Sequence, residues 1–337
     1  MKKIFNLIAS FVLLAGFSAC NKDGSDKPGL PPAPVPTVNY KGLTFISSGK
    51  STVCLAKVGA PDEITLEYST DEFQWNPYTI GEKISMADGS FLLFRAGEQK
   101  NLTFSKGSDS YYHFEISGPV TAQGNIMSLL DRDFSTPLST NAFFALFEGC
   151  TSLLSAPELP ATTMEQGCYF RMFAECTGLK SAPELPAKEL AYNCYGWMFK
   201  GCSALTYVPD LPATEMVSYC YNNMFANCTS LKFAPELPAT RLDMGCYHCM
   251  FEGCTSLTSA PELPATELVS NCYEFMYKDC RNLRYVIGLF TTEPSEKTTK
   301  DWLSGVAASG TFIKSKKATW DVTSAHGVPE GWKIETW

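Results

Sequence analysis

A unit of 26 residues recurs along residues 141–290, and this repeat restricts the fold more than any other feature of the chain. Two columns of cysteine mark the period, without insertion or deletion: Cys150, Cys176, Cys202, Cys228, Cys254 and Cys280 in the first, and Cys168, Cys194, Cys220, Cys246 and Cys272 in the second. Proline, tyrosine, methionine and phenylalanine columns share the period. One unit cannot bury its apolar side alone, so the sequence predicts a solenoid in which neighbouring units supply the other wall.

Each unit divides into a strand-like half and a half with the pattern of a short helix. In the last complete unit the first half, SLTSAPEL at residues 256–263, is an extended run that ends at prolines. The second half, TELVSNCYEFMYKD at residues 266–279, has an apolar stripe at Leu268, Cys272, Phe275 and Met276. This i, i+4, i+7, i+8 spacing is typical of an amphipathic helix. We therefore expect coils of 26 residues, each with one short strand and one short helix.

The spacing Cys…Leu…Pro-x-Leu-Pro…Cys-Tyr-x-x-Met-Phe-x-Gly-Cys resembles that of the BspA-type leucine-rich repeat proteins of bacterial surfaces. The resemblance covers residues 141–290, and the unit here is somewhat longer than is usual in that family. It implies a leucine-rich-repeat-like solenoid that is used for adhesion to host proteins or to other cells. It does not identify the partner.

The segments that flank the repeat have other patterns. Residues 39–122 contain short alternating runs such as LTFIS, STVCLAKV and YYHFEIS, which predict an all-β, sandwich-like domain. The solenoid is predicted for residues 123–290, beginning with a degenerate coil. Residues 291–337 contain four tryptophans, and we expect them to form a C-terminal cap, with a carbohydrate-stacking surface as the alternative. The predicted fold class is therefore α+β/β, with a β domain, a strand-and-helix solenoid and a cap.

The N-terminus has the pattern of an export signal. Residues 1–19 combine two lysines with an apolar core that is too short for a membrane-spanning helix. The ending Ser18-Ala19-Cys20 resembles the lipobox of bacterial lipoproteins and implies lipidation of Cys20; an ordinary secretory signal is the alternative. Residues 20–38 are Pro-rich, as an extended tether would be, and their acidic residues resemble the export signal of Bacteroidetes surface lipoproteins. We predict an outer-membrane lipoprotein exposed at the cell surface, with the periplasmic side as the alternative.

Charge and motifs exclude several classes of function. The formal net charge is −8, and loss of Lys2 and Lys3 with the signal brings it to −10. An acidic surface repels phosphate backbones, so no nucleic-acid partner is expected. The three histidines, His113, His248 and His326, are scattered, and no HExxH, GxSxG or phosphate-loop pattern occurs. We therefore predict a protein that is not an enzyme and needs no cofactor.

The cysteines have three interpretations. We favour free, buried thiols that stack on their own copies, because cysteine is small, apolar and tolerant of burial. Disulfides between adjacent coils are the alternative in an exported protein. A metal site at Cys246-Tyr247-His248-Cys249 is not expected, because residues 246 and 249 share a helix face that excludes residue 248.

Candidate binding residues form three columns. The first is acidic and comprises Glu158, Glu184, Asp210, Glu236 and Glu262. Like charges on adjacent rungs are unfavourable, so this column is either a solvated by-product of duplication or a stripe for a basic partner or for calcium. The other two are a basic column, Lys180, Lys232 and Arg284, and an aromatic column, Tyr207, Phe233 and Tyr285. Exposed aromatic residues anchor interfaces, although packing between coils is the other interpretation.

These observations favour a non-enzymatic lipoprotein that recognises or adheres to a macromolecule through the solenoid surface. The expected partner is a host or matrix protein, or another cell. A surface protein that binds or processes glycans is the alternative, and a structural spacer is the third interpretation.

Overall fold

The structure is a computed structural model that describes residues 38–98, 100–101, 103–320 and 326–337. Those residues contain no α-helix and one turn of 3-10 helix, at Ile126–Leu129. The strands before the repeat are β1 (Thr44–Ser47), β2 (Ser51–Val58), β3 (Leu66–Ser69), β4 (Asn76–Tyr78), β5 (Ile84–Met86), β6 (Phe91–Ala96), β7 (Ser105–Gly107), β8 (Ser110–Ser117) and β9 (Val120–Gln123). The later strands are β10 (Leu153–Ser155), β11 (Ser259–Leu263), β12 (Tyr285–Gly288), β13 (Thr311–Lys314) and β14 (Lys333–Thr336). The predicted α+β/β class, with a helix in every coil, is therefore wrong, because the described chain is essentially all-β.

The N-terminal part consists of two sheets that pack face to face. One has the strand order β5-β2-β8-β7, and the other contains β9-β1-β6-β3-β4. Phe114 of the first sheet packs edge-on against Phe45 and Phe94 of the second, with ring centroids 5.1 Å and 5.6 Å apart. Such pairs bury large apolar areas and add about 0.5–1.5 kcal/mol beyond the area itself. The contact between the sheets is therefore an aromatic core.

The first coil is joined directly to this core. Strand β10 pairs in parallel with β9, so one sheet passes from the N-terminal part into the repeat. The Phe114 N–H donates to the carbonyl of Leu146 at 2.7 Å, and the Phe114 ring stacks on Phe147 at 5.1 Å. The N-terminal sheets thus cover the apolar end of the first coil, which would otherwise be open to water.

A run of tight turns occupies the place where we expected helices. In the first complete coil this turn run covers residues 167–176, and equivalent runs follow in every coil. The Phe170 N–H closes a turn on the Gly167 carbonyl at 3.0 Å, whereas the Arg171 N–H donates to the next coil, at Gly196, over 2.9 Å. Every fourth residue is left-handed, as at Gly167, Arg171 and Glu175, with φ between 58° and 60°. A left-handed residue costs about 1–2 kcal/mol inside a helix, so this backbone cannot continue as one.

The four-residue spacing of buried side chains in the turn run explains why the sequence predicts a helix there. Its fully buried residues in the last complete unit include Cys272, Met276 and Cys280, which are spaced by four residues. A helix would rotate each of them by about 40° relative to the one before, because 3.6 residues complete a turn. The four-residue turn instead returns each one to the same side. The spacing i, i+4, i+8 fits both structures over so short a stretch.

The strand-like half of each coil is held by few ladder bonds. In the central coils the structure shows isolated parallel bridges, such as Ser181 to Tyr207 and Glu215 to Arg241, in place of continuous strands. Two prolines per unit, for example Pro183 and Pro186, remove backbone donors on this side. The hydrogen bonds of the turn run are therefore what connects one coil to the next.

Regular strands return in the last complete coil, and the strands after it, β12, β13 and β14, contain no proline. Strands β11, β12, β13 and β14 form a parallel four-stranded sheet, so residues 291–337, the predicted cap, continue the stacking. The turn run continues too, because the Tyr277 N–H donates to the Trp302 carbonyl at 2.9 Å. Trp302 is fully buried beneath the last complete coil.

Identical side chains stack through the core of the solenoid. The rings of the phenylalanine column, Phe147, Phe173, Phe199, Phe225, Phe251 and Tyr277, lie 5.3–5.7 Å apart and within 12° of parallel. The tyrosine column, Tyr169, Tyr195, Tyr221, Tyr247 and Tyr273, stacks at 5.7–5.9 Å. Thiols of the first cysteine column donate to phenylalanine carbonyls of the preceding coil, as from Cys254 to Phe225 at 3.1 Å. Cysteine therefore contributes a hydrogen bond as well as a small apolar volume.

We expect Phe225→Ala to lower the free energy of unfolding by about 3–5 kcal/mol, because it leaves a cavity in the middle of a continuous stack. The matched control is Phe233→Ala, eight positions along the same coil, where the side chain is 70% exposed and the expected change is below about 0.5 kcal/mol. Urea unfolding followed by tryptophan fluorescence measures both. Equal unfolding midpoints for the two variants would contradict the stacked core.

Candidate functional site

The acid column, Glu158, Glu184, Asp210, Glu236 and Glu262, lies on the outer surface of the strand-like half. Its first four members are exposed and Glu262 is half-buried. In the first complete coil, Pro157 and Leu159 on either side of Glu158 are buried, so the backbone alternation turns the carboxylate outward. The side chains thus form one negative row along the solenoid.

These five carboxylates have no ion pair or side-chain hydrogen bond among the described residues. Elsewhere on the solenoid, carboxylates are paired across coils, as in Glu215 with Arg241 at 3.2 Å and Glu252 with Lys278 at 3.3 Å. The acid column is therefore a surface whose charge the chain does not itself neutralise.

The aromatic column lies beside the basic column on the same side of the coil. Tyr207, Phe233 and Tyr285 are 56%, 70% and 39% exposed. Lys180, Lys232 and Arg284 are also exposed, and none of them has an ion pair in the described part of the chain. A large part of each ring is open to solvent, so the aromatic column is accessible to a partner.

A column of small residues separates the aromatic column from the acid column. Its members are Ala156, Ala182, Val208, Ala234 and Ala260. We call this floor, with the acid column on one side and the aromatic column on the other, the trench. In the first two coils serine replaces the aromatic residue, and a groove of about 470 Å³ opens there. Its lining includes Ser155, Pro157, Glu158, Ser181, Pro183 and Glu184.

The described residues contain no metal centre. In that part of the chain, no three His, Cys, Asp or Glu side chains lie close enough together to hold a metal ion. The acid column places one carboxylate in each coil and does not gather them. The geometry therefore gives calcium no preformed site on this column.

His248 and Cys249 form a cluster that sequence reasoning misjudged. The Cys249 Sγ lies 3.8 Å from His248 Nε2, and His248 Nδ1 lies 3.1 Å from the Asn222 side-chain oxygen. The expectation that residues 248 and 249 point apart assumed a helix, and the turn run brings them together. Burial, with a contribution from Glu252, raises the pKa of the Cys249 thiol well above its usual range. The thiol therefore stays protonated at neutral pH and is a poor nucleophile in spite of the neighbouring imidazole.

All thirteen cysteines in the described residues are free and buried, as we expected for the repeat columns. Burial raises the pKa of Cys150, Cys194 and Cys254 to about 12 in each case. Thiolate is the reactive form, so these side chains are inert at neutral pH.

The C-terminal tryptophans are mostly unavailable to a ligand. Trp302, Trp320 and Trp332 are buried, and their indole N–H groups donate to backbone carbonyls at 2.8–3.3 Å. Trp337, at the end of the chain, is 61% exposed. A carbohydrate-stacking row of tryptophans is therefore absent from this end of the described solenoid.

Sequence reasoning missed two exposed aromatic residues, Phe73 and Tyr192, of which Tyr192 is 47% exposed in a turn run. Phe73 is 88% exposed at the tip of the hairpin between β3 and β4. The Asp71 carboxylate accepts hydrogen bonds from the Phe73 and Gln74 N–H groups, which fixes the turn. The sequence signal for Phe73 was its place inside the polar run Thr-Asp-Glu-Phe-Gln at residues 70–74. Such a run predicts a surface turn, and a side chain on a surface turn is exposed.

Cys20 and residues 21–37 of the predicted tether lie outside the described residues. No helix in the described part of the chain is long and apolar enough to cross a membrane. Comparison of the chain with protein-family models, with curated proteins and with solved structures gave no match. The BspA-type resemblance therefore stays a prediction.

We expect iodoacetamide to label none of the thirteen cysteines in a folded chain of residues 21–337, even at about pH 9, because burial raises the pKa values and blocks access. The same chain unfolded in guanidinium chloride without reductant provides the control and should take up thirteen labels. Intact-protein mass spectrometry counts the labels. Fewer labels in the unfolded sample would reveal disulfides and contradict the free ladders.

Proposed function

We propose that the chain is a non-enzymatic lipoprotein of the cell surface that recognises a macromolecular partner through the strand side of its solenoid. The observation that carries this proposal is the aromatic column, whose three rings are 39–70% exposed on one side of a stacked scaffold. Large aromatic side chains exposed in a row are favoured anchors of interfaces, because burying each one removes much apolar surface from water.

The scaffold supports binding at several points. The turn-run hydrogen bonds and the stacked rings fix the coils relative to one another, so the aromatic column is organised before a partner arrives. Binding then costs the conformational and rigid-body entropy of the partner, but no further entropy for ordering the solenoid. Recognition along several coils also multiplies weak contacts into a stable complex.

Two observations favour recognition over catalysis. The acid column repeats one carboxylate in each coil, whereas hydrolysis by a carboxylate pair needs a singular arrangement in a cleft. Cys249, which lies beside the His248 imidazole, is held protonated by its surroundings. The location at the cell surface is inferred from the lipobox-like ending at Cys20 and the Pro-rich residues that follow.

We expect cells that display the full-length chain to bind at least one of immobilised collagen, fibronectin, laminin and mucin. The variant Tyr207→Ala/Phe233→Ala/Tyr285→Ala should reduce that binding at least about tenfold, because hot-spot aromatic residues dominate interface energies. The matched control, Phe73→Ala/Tyr192→Ala, removes one exposed aromatic residue from the hairpin between β3 and β4 and one from a turn run, and it should bind as before. Retention of binding by the triple variant would remove the aromatic column from the interface, and binding to mucin through its glycans alone would favour the glycan alternative.

We expect protease added to intact cells to cleave the protein while a periplasmic marker stays whole. In Cys20→Ala the lipid cannot be attached, so the protein should leave the membrane fraction. Immunoblots of shaved cells and of separated membranes check both statements. A protein that stays protected on intact cells would contradict surface exposure and would support a periplasmic scaffold.

A further inference from the structure

The trench has a direction that restricts what can lie in it. The strand-like segments run across the trench, and successive coils follow one another along it at about 4.8 Å, the spacing of strands joined by bridges such as Ser181 to Tyr207. Prolines such as Pro157 and Pro183 in its lining have no N–H to offer. A partner strand therefore cannot extend the sheet, and recognition depends on side chains and on the floor.

The trench is shaped for a narrow chain. Its floor is made of alanine and valine, which leaves space between the two side walls. At the first two coils this space is a groove of about 470 Å³ lined by small, proline and acidic residues. A globular surface cannot enter such a groove, whereas an extended polypeptide can.

The two walls differ in chemistry, and this difference determines the occupant. The acid column presents an unneutralised carboxylate in each coil, so it favours cationic side chains. The opposite wall presents Tyr207 across from Asp210 and Phe233 across from Glu236, and these rings favour apolar side chains. Serine holds the position opposite the other three carboxylates, and Tyr285 follows in the next coil, where Gly288 replaces the acid.

In an extended chain, side chains on the same side repeat about every 6.6 Å, whereas coils joined by strand bridges repeat about every 4.8 Å. The drift of about 1.8 Å per coil reaches about 3.6 Å over the two steps from Glu184 to Glu236, which flexible Lys and Arg side chains can absorb.

We propose that the trench binds an extended polypeptide segment in which Lys or Arg alternates with apolar residues. The basic side chains face the acid column and the apolar ones face the aromatic column. This inference rests on the proposed recognition function and names the chemistry of the partner. The exposed basic column beyond the aromatic wall disfavours a segment that is basic on both sides, so the alternation is part of the recognition.

The probe is a fluorescent, end-blocked peptide Lys-Val-Lys-Val-Lys-Val-Lys, compared with Lys-Lys-Lys-Lys-Val-Val-Val, which has the same composition but no alternation. Fluorescence anisotropy with the chain of residues 21–337 measures the affinity. We expect the alternating peptide to bind at least about fivefold more tightly than the block peptide, and to weaken as salt rises to about 0.15 M.

The decisive variant is Glu184→Gln/Asp210→Asn/Glu236→Gln, which removes three charges from the trench wall. Its matched control is Glu293→Gln/Glu296→Gln/Glu330→Gln, which removes three exposed charges outside the trench. We expect the trench variant to bind the alternating peptide at least about tenfold more weakly, and the control variant to bind within about twofold of the unmodified chain. Circular dichroism checks that both variants are folded.

Three results would overturn the inference: no binding of the alternating peptide, equal binding of the block peptide, or equal loss in both variants. These outcomes are separate from failure of the proposed function. Displaying cells that bind a matrix protein or mucin through the aromatic column, while the peptide does not bind, would leave recognition in place and exclude the basic segment as its partner. Loss of the cell binding together with the peptide binding in the trench variant would support both.

Discussion

The fold depends on how the turn run shares its backbone N–H groups between two tasks. One N–H in two closes a turn within the coil, as at Phe170, and the next one donates to the following coil, as at Arg171. Buried backbone groups must be paired, so every N–H of the turn run has to find the partner that its place in the alternation provides. An insertion of one residue would exchange the two sets and leave a row of groups unpaired. This explains why the turn run keeps the same length through five coils.

The columns of identical residues follow from that register. Once each coil lies directly on the one before it, a side chain meets its own copy, and flat rings stack at 5.3–5.9 Å. The thiol at the end of each turn run then lies beneath a carbonyl that a small donor can reach, as for Cys254 and Phe225 at 3.1 Å. Serine in this place would put a more strongly hydrated group in an apolar core. Cysteine therefore recurs because of packing and hydrogen bonding, and its redox chemistry is suppressed by burial.

The sequence predicted the stacking and its period, but not the backbone that produces them. The exact repetition of Cys, Tyr and Phe predicts that neighbouring coils bury the apolar side of one another. This prediction does not depend on whether the backbone of each coil is a helix or a run of turns. The helix was wrong because Leu268, Cys272 and Met276 fit a four-residue turn as well as a helical turn, and no propensity rule anticipates left-handed Arg171, Trp197 or Phe275. Columns alone could not show which carboxylates find partners either: Glu252 and Glu184 look alike in sequence, and only Glu252 has a cation across the coil boundary.

The two sides of the solenoid contribute differently: one side stabilises the fold, and the other is available for recognition. The turn run and the stacked rings hold the coils together on one side, while the strand side is linked by isolated bridges and interrupted by prolines. Side chains that point outward from the strand side therefore support little of the fold. Phe233 in one coil and Ser259 in the next occupy the same column without disturbing the stack beneath them. Such a surface can change residue by residue at small cost in stability, which suits a scaffold whose partner is selected by its exposed columns.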